Sequence, residues 1–191
     1  MKNINWSNIE AAKPGEFNRL PTGGYICKIT AVEDEPSKEY LKIEFDICDG
    51  EYKDYYRNLY ESKKFWGGNF IKSYKEKALG FFKQMLECIE KSSKGFSADT
   101  FDGDERKLVG KFIGLVIGYE EYKGNDGKIK QRIFVDSFKT ASEIKNGEFE
   151  IPALKTLASD SPKASAIDAV EDDDDLPWGV NNEAALYKKT V

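Results

Sequence analysis

The segment Tyr40–Ile47 constrains the fold most, because its hydrophobic character alternates from one residue to the next. Its apolar side chains occupy every second position: Leu41, Ile43, Phe45 and Ile47. Successive side chains of a β-strand point to opposite faces, so this pattern predicts a half-buried strand with one wet face. The Asp49-Gly50 pair that follows predicts a tight turn at the end of the strand.

Similar patterns predict four further strands and one long helix. Alternation, or a dense run of aromatic residues, indicates strands over residues 25–32, 52–60, 112–120 and 128–138. Between residues 70 and 88, apolar side chains recur at steps of three and four, which is the period of a helix with one buried face.

The predicted elements follow the order strand, strand, strand, helix, strand, strand. This is the order of an OB-fold, a small Greek-key barrel of five strands with a helix between strands three and four. Other five-stranded domains of mixed β and α structure share the order. We therefore expect a mainly β, five-stranded, OB-fold-like barrel with one helix between strands three and four.

Charge divides the chain into two parts. Residues 159–191 hold eight acidic and three basic residues, whereas residues 1–158 are balanced, so the tail carries the whole net charge of −5. The composition of the tail cannot bury enough apolar surface to offset the entropy of ordering it. The sequence predicts one domain over residues 1–158 and a disordered acidic tail over residues 159–191.

The tail contains one run with the properties of a partner-binding segment: Asp172, Asp173, Asp174, Asp175, Leu176, Pro177 and Trp178. Adjacent carboxylates repel one another and disfavour local folding, while proline fixes the backbone and tryptophan offers a large ring that a partner can bury. The run resembles the tail of bacterial single-stranded-DNA-binding proteins, which ends in Asp residues and a Pro-Phe pair and recruits replication and repair enzymes. In that family the Pro-Phe pair stands at the C-terminus. Here thirteen residues, from Gly179 to Val191, follow the Pro-Trp pair, and whether they are native is open. A solvated acidic tail that aids solubility is the alternative interpretation.

Two stretches interleave aromatic and basic residues, as binding to single-stranded nucleic acid requires, because rings stack on bases and cations neutralise phosphates. The first set of candidate binding residues is Lys42, Tyr52, Lys53, Tyr55, Arg57, Lys63, Lys64, Phe65, Trp66 and Lys72. The second set lies on or near the predicted hairpin between the last two strands and comprises Tyr122, Lys123, Lys128, Lys130 and Arg132. The alternative interpretation assigns half of the tyrosines to the core and the hairpin lysines to a solvated rim that protects an edge strand.

Two rings carry specific expectations. Alternation cannot place Tyr55 and Tyr56 on one strand face, so at least one of them should be turned inward. Trp66 stands beside two lysines and a Gly-Gly turn, where burial is hard to arrange, so we expect its ring to be exposed.

Catalysis is not expected from this composition. The chain has no histidine, which removes the commonest general base and the commonest metal ligand. Cys27, Cys48 and Cys88 lack the spacing of metal or redox motifs, and their odd number indicates a reducing cytoplasm. No apolar run approaches ~20 residues, so no membrane span is predicted. We expect no enzyme, no cofactor and no bound metal.

The body of the chain also resembles a known group of proteins. Three segments resemble small phage proteins of Gram-positive bacteria, including single-stranded-DNA-binding proteins with an OB-fold: Pro21-Thr22-Gly23-Gly24-Tyr25, Glu39-Tyr40-Leu41-Lys42-Ile43-Glu44-Phe45-Asp46-Ile47 and Asp49-Gly50-Glu51-Tyr52-Lys53. The resemblance covers roughly residues 20–140 and transfers no individual binding residue.

The resemblance implies single-stranded-DNA binding in phage replication or recombination, with the tail recruiting replication or recombination enzymes in the bacterial cytoplasm. The alternative is a protein-interaction module, such as a recombination accessory factor or an inhibitor of a host enzyme. Oligomeric state, including a homo-oligomer, and preference for DNA over RNA are left open by the sequence.

Overall fold

The computed structural model describes residues 19–157. Within them lie five strands, three α-helices and two short 3₁₀ turns. The elements are β1 (Gly23–Glu35), β2 (Tyr40–Ile47), α1 (Tyr55–Lys63), β3 (Asn69–Ser73), a 3₁₀ turn (Glu76–Ala78), α2 (Leu79–Ser92), a second 3₁₀ turn (Glu105–Leu108), β4 (Phe112–Lys123), β5 (Ile129–Lys139) and α3 (Ala141–Asn146).

The five strands form one antiparallel sheet in the order β3-β2-β1-β4-β5. The prediction of a mainly β, five-stranded domain is confirmed, and α2 lies between strands three and four, but residues 19–157 hold three α-helices rather than the single helix expected. The last two strands form the predicted hairpin, and its turn contains Gly127 at a φ of +73°, a backbone conformation that glycine adopts without steric cost.

The sheet is not closed into the expected barrel. Within residues 19–157 no ladder joins β3 to β5, so both strands are edges. Side chains occupy the gap between them instead: the ring centroids of Phe70 and Phe138 are 5.5 Å apart, and Lys72 Nζ lies 4.8 Å from the Phe138 centroid. The five-residue β3 therefore meets β5 through side chains rather than through backbone hydrogen bonds.

The core lies between the inner face of the sheet and α2. Ile29, Ile43 and Ile117 of β1, β2 and β4 are fully buried, and α2 contributes Met85 and Ile89 to the same cluster. Burying an aliphatic side chain of this size contributes about 1.5–3 kcal/mol, so this layer supplies much of the stability. Among the described residues, no helix has the length and apolar character needed to cross a bilayer.

Two segments differ from the sequence prediction. Residues 52–60, predicted as the third strand, form a turn and most of α1, while residues 69–73, assigned mainly to the predicted helix, form β3. Tyrosine favours strands, but Tyr55, Tyr56 and Leu59 all pack against the core and recur at steps of three and four. Helical spacing of the inward rings thus outweighs the strand preference of each ring.

The segment after β5 covers the outer face of β4. A Cβ on Gly114 would lie 2.6 Å from Cγ1 of Ile144 in α3, so this close approach requires glycine. Farther along, Lys155 pairs with β4, donating its backbone N–H to the Tyr119 carbonyl at 3.0 Å. No local pattern predicts α3, whose six residues are too few for a clear hydrophobic period.

A buried carboxylate from β2 caps α1. Asp46 Oδ1 accepts the backbone N–H of Ile47 at 2.9 Å and that of Tyr56 at 3.0 Å, and Oδ2 accepts the N–H of Arg57 at 3.3 Å. The residue directly before the helix, Asp54, makes no side-chain cap. Burial raises the pKa of Asp46, and the three N–H donors act against that rise. A residue ten positions away thus satisfies the orphan donors of the first helical turn.

We predict that Asp46→Ala destabilises the fold, because three N–H groups lose their acceptor in a buried site. The expected loss in the free energy of unfolding is about 1–3 kcal/mol by urea denaturation. The matched control is Glu44→Ala on the same strand, whose nearest cation is Lys42 at 3.9 Å, and it should change stability by less than about 0.5 kcal/mol. Equal losses in the two variants would contradict the capping role.

Candidate nucleic-acid interface

The two candidate stretches lie at the same end of the sheet. The C-terminal end of β2 is at this end, because Ile47 pairs with Cys27 near the start of β1, and α1 follows a short turn later. Gly23 at the start of β1 pairs with Ile117, and β4 continues six residues beyond that point into the hairpin. The antiparallel register thus brings α1 and the base of the β4–β5 hairpin together.

Leu20 connects the two stretches through its backbone. Its N–H donates to the hydroxyl of Tyr55 at 3.2 Å, and its carbonyl accepts from the hydroxyl of Tyr119 at 2.7 Å. Arg19 extends the contact, with its guanidinium 5.3 Å from the Tyr119 ring centroid and Nη1 donating to Gln131 Oε1 at 2.9 Å. No sequence motif marks Arg19, and it is not among the binding residues expected from the sequence.

Much of the tyrosine-rich stretch builds the core. Tyr56 is completely buried, which confirms that one ring of the Tyr55-Tyr56 pair is turned inward. Tyr55 packs edge-on against Tyr56 with ring centroids 5.1 Å apart, and Tyr52 contacts Tyr25 at 6.0 Å. Burial raises the pKa of Tyr56 and of Tyr55. The alternative interpretation is therefore correct in placing part of these tyrosines in the core.

The exposed part of the first stretch lies at the C-terminal end of α1. We define the α1 patch as Tyr60, Lys63, Lys64 and Phe65. The two rings are 49% and 46% exposed, and Lys64 Nζ lies 5.9 Å from the Tyr60 centroid. Lys64 ends the helix with a φ of +57°, which turns the chain toward β3. Two exposed rings thus flank two ammonium groups along one short segment.

Two other cations of this stretch flank the start of α1. Lys53 and Arg57 are both exposed. The Arg57 guanidinium lies 3.4 Å from the carboxylate of Asp54, and the arginine side chain remains 60% exposed in that pair. These cations extend the basic surface from the α1 patch toward the N-terminal end of the helix.

Trp66 is half-buried rather than exposed. Its indole N–H donates to the Gly68 carbonyl at 3.0 Å, and its ring contacts Tyr56 and Tyr60 at centroid distances of 6.4 and 6.3 Å. A Cβ on Gly68 would lie 2.4 Å from the Phe45 carbonyl oxygen, so the turn packs directly on β2. The glycines that suggested an exposed loop instead allow a close approach to the core.

The hairpin patch consists of the five residues predicted there: Tyr122, Lys123, Lys128, Lys130 and Arg132. Tyr122 pairs with Lys130 across the hairpin and Glu120 with Arg132, so these four side chains share one face. Arg132 lies 5.4 Å from the Tyr122 centroid and donates through Nε to Glu120 at 2.6 Å. Lys130 pairs with Asp126 at 3.3 Å. The patch is basic, but two of its cations already contact carboxylates.

Lys42 and Lys72 lie away from both patches. Lys42 is on the outer face of β2, beside Glu44 on its own strand and opposite Glu33 of β1. Lys72 faces inward from β3, is 3% exposed and sits in the gap between β3 and β5. Burial lowers the pKa of its ammonium group to about 8. The sequence could not separate these two lysines from the exposed ones because both stand in amphipathic patterns.

The partner-binding run from Asp172 to Trp178 lies outside the described residues. No known family model matches the chain, and no curated protein matches it significantly. The interface is therefore defined by its geometry alone.

We predict that Trp66 and Phe65 differ sharply in their effect on stability. Trp66→Ala removes a ring packed on Tyr56 and a hydrogen bond to the turn, so the free energy of unfolding should fall by about 2 kcal/mol or more. Phe65→Ala should change it by less than about 0.5 kcal/mol, because the ring is exposed. Urea denaturation of the two variants tests this, and a larger loss for Phe65→Ala would contradict the assignment.

We predict a pH dependence that comes from Lys72. Its folded pKa of about 8 lies below the usual 10.5, so between these values the unfolded chain binds more protons than the folded one, and stability rises with pH. Burial raises the pKa values of the Cys27, Cys48 and Cys88 thiols, so these groups oppose the rise as the pH approaches their ordinary value of 9.0, and the buried tyrosines do so near 10.0. The unfolding free energy of the unmodified chain should therefore increase between pH 7 and 8, where the contribution of Lys72 outweighs that of the thiols.

The variant Lys72→Met should abolish this increase and be more stable at pH 7, because an apolar chain replaces a buried cation. Lys42→Met, on the opposite face, is the matched control and should retain the increase. An unchanged pH profile in Lys72→Met would contradict the assignment.

Proposed function

We propose that this chain binds single-stranded DNA with little sequence preference, through a surface formed by the α1 patch and the hairpin patch. The observation that carries the proposal is the placement of two exposed rings, Tyr60 and Phe65, beside Lys63 and Lys64 at the hairpin end of the sheet. Stacking of a base on such a ring contributes about 1–3 kcal/mol and tolerates any base.

The connection through Leu20 holds α1 beside the hairpin end of β4. The Leu20 N–H donates to the Tyr55 hydroxyl and the Leu20 carbonyl accepts from the Tyr119 hydroxyl, which fixes α1 relative to β4. Because the groups are positioned before the ligand arrives, less side-chain and loop entropy is lost on binding. A strand that crosses both patches would place phosphates near Lys64 on one side and Lys123 or Lys128 on the other.

The strand order also supports the proposal. The order β3-β2-β1-β4-β5 with α2 after β3 is that of an OB-fold opened between β3 and β5, and OB-folds commonly bind oligonucleotides. We propose an open OB-like fold that protects exposed strands during phage replication or recombination in the bacterial cytoplasm. The acidic tail would recruit replication or recombination enzymes, and the protein itself would catalyse no reaction.

One observation favours the protein-interaction alternative. OB-folds commonly bind their ligand across the face of strands two and three, but here the outer face of β2 carries Glu44 beside Lys42, next to Glu33 of β1. A face of mixed charge without exposed rings suits a protein partner better than a polyanion. An accessory factor for recombination or an inhibitor of a host enzyme is therefore the second candidate.

We predict that oligo-dT binds the full chain more tightly than duplex DNA and that its affinity falls steeply with salt, because bound cations release counterions from the phosphates. Phe65→Ala should weaken binding by about 1 kcal/mol or more through lost stacking. Leu79→Ala is the matched control, since Leu79 is 49% exposed but lies on α2. Fluorescence titration at two salt concentrations measures both effects.

Equal affinity for duplex and single strand, or no binding at low salt, would contradict the proposal and favour the protein-interaction alternative. Equal losses in Phe65→Ala and Leu79→Ala would place the DNA elsewhere on the molecule.

A further inference from the structure

A second concave site lies between the end of α2 and the start of β4. The cleft has a volume of about 510 Å³, and its wall includes Gly95, Phe96, Phe101, Arg106, Lys107 and Lys111. Pockets of roughly 300–1,000 Å³ are typical of small-molecule sites. Gly95 has a φ of +73° with no atom within 4 Å of a Cβ position, so the backbone is open to a ligand on that side.

The floor of the cleft is aromatic and firmly held. Phe96 and Phe101 are half-buried, pack against the hydrophobic core and lie 5.9 Å apart with their planes inclined by 51°. The far wall is joined to β1, because Ile29 donates to the Lys111 carbonyl at 2.9 Å and accepts from the Gly110 N–H at 2.8 Å. Rings fixed in this way offer a ready surface to a flat apolar group.

Three cations border the same floor. Arg106 uses Nε and Nη2 to bind Asp104, at 2.8 and 3.1 Å, which leaves other N–H donors of its guanidinium for a ligand. Lys107 contacts Asp102 at 2.6 Å through one ammonium donor. Both pairs are exposed, and such pairs contribute only about 0.2–1 kcal/mol. A phosphate must therefore share or displace Asp104 and Asp102 at these two cations, and Lys111 adds a third charge.

We infer that this cleft binds a nucleoside monophosphate unit, with the base against Phe96 and Phe101 and the phosphate held by Arg106, Lys107 and Lys111. Guanidinium donors match phosphate oxygens in pairs, and the compact volume suits one nucleotide better than an extended acidic peptide. The unit can be a free mononucleotide or one residue of a nucleic-acid strand, since the recognised chemistry is the same.

The inference goes beyond the proposed function because the cleft does not involve the α1 patch. Its contact with β1 is at Ile29, six residues from Gly23, where the hairpin end of the sheet begins. At about 3.3 Å per residue this separation is about 20 Å along the strand. The two sites can therefore be tested by independent substitutions.

The test uses the isotope-labelled full chain and follows backbone amide signals by NMR during titration with thymidine monophosphate, thymidine or inorganic phosphate. Thymidine monophosphate should shift amides of residues 95–111 and bind more tightly than either fragment. Arg106→Gln should weaken it by about fivefold or more, because a charge-assisted pair is lost. Lys94→Gln is the matched control on the same loop and should change affinity by less than about twofold.

Several outcomes would overturn the inference. These are unmoved amides in residues 95–111, equal binding of thymidine and its monophosphate, equal binding of phosphate alone, or equal losses in Arg106→Gln and Lys94→Gln. The inference would also be overturned if a peptide with the sequence of residues 171–178 shifted the amide signals of residues 95–111 and thymidine monophosphate did not. Unchanged amide spectra elsewhere in the variants ensure that loss of fold is not the cause.

Oligo-dT distinguishes the two sources of the nucleotide. If it shifts the cleft amides in competition with thymidine monophosphate, the cleft holds part of a strand; if it leaves them unmoved, the ligand is a free mononucleotide, and both results support the inference. A different result separates the two proposals. If Phe65→Ala weakens oligo-dT binding but Arg106→Gln leaves the affinity for thymidine monophosphate unchanged, the inference is overturned and the proposed function stands. Binding of thymidine monophosphate without any binding of oligo-dT would contradict the proposed function and leave the inference about the cleft standing.

Discussion

The hydrogen bonds that Asp46 accepts from α1 are the contact on which the candidate interface depends. The carboxylate belongs to β2, yet it binds the N–H groups of Tyr56 and Arg57 in the first helical turn. Asp54, directly before the helix, provides no side-chain cap, so the orientation of α1 is set from the sheet. That orientation decides which rings are buried, such as Tyr56, and which remain exposed, such as Tyr60 and Phe65.

The gap between β3 and β5 is filled by side chains instead of being closed by backbone hydrogen bonds. Closing the barrel would pair the backbones of two edge strands, but here an inward lysine and the rings of Phe70 and Phe138 fill the space. A cation near an aromatic ring recovers part of its desolvation cost, and the lowered pKa of Lys72 shows that the recovery is incomplete. The two edge strands thus meet through side chains, whereas β1, at the centre of the sheet, pairs with β2 and β4 through its backbone.

The sequence predicted the elements whose signal is local. The alternation of β2 and the Asp126-Gly127 turn are contained within a few residues, so the strand and the hairpin were found with nearly correct bounds. The helix α1 was missed because its start depends on Asp46, ten positions before Tyr56, and no local cap marks it. The exposure of Trp66 was misjudged for a related reason, since the packing of Gly68 against Phe45 is a contact between distant residues.

The binding strength of the proposed interface depends on how many of its cations are available to phosphate. Arg132 is held by Glu120, Lys130 by Asp126 and Arg57 by Asp54, so a DNA phosphate must share or displace a carboxylate at each of these positions. Such exposed pairs are weak, but every carboxylate left beside the strand repels it. Under the proposed function, a body with balanced charge would bind DNA through stacking on its exposed rings together with these cations, which would also give the binding its salt dependence.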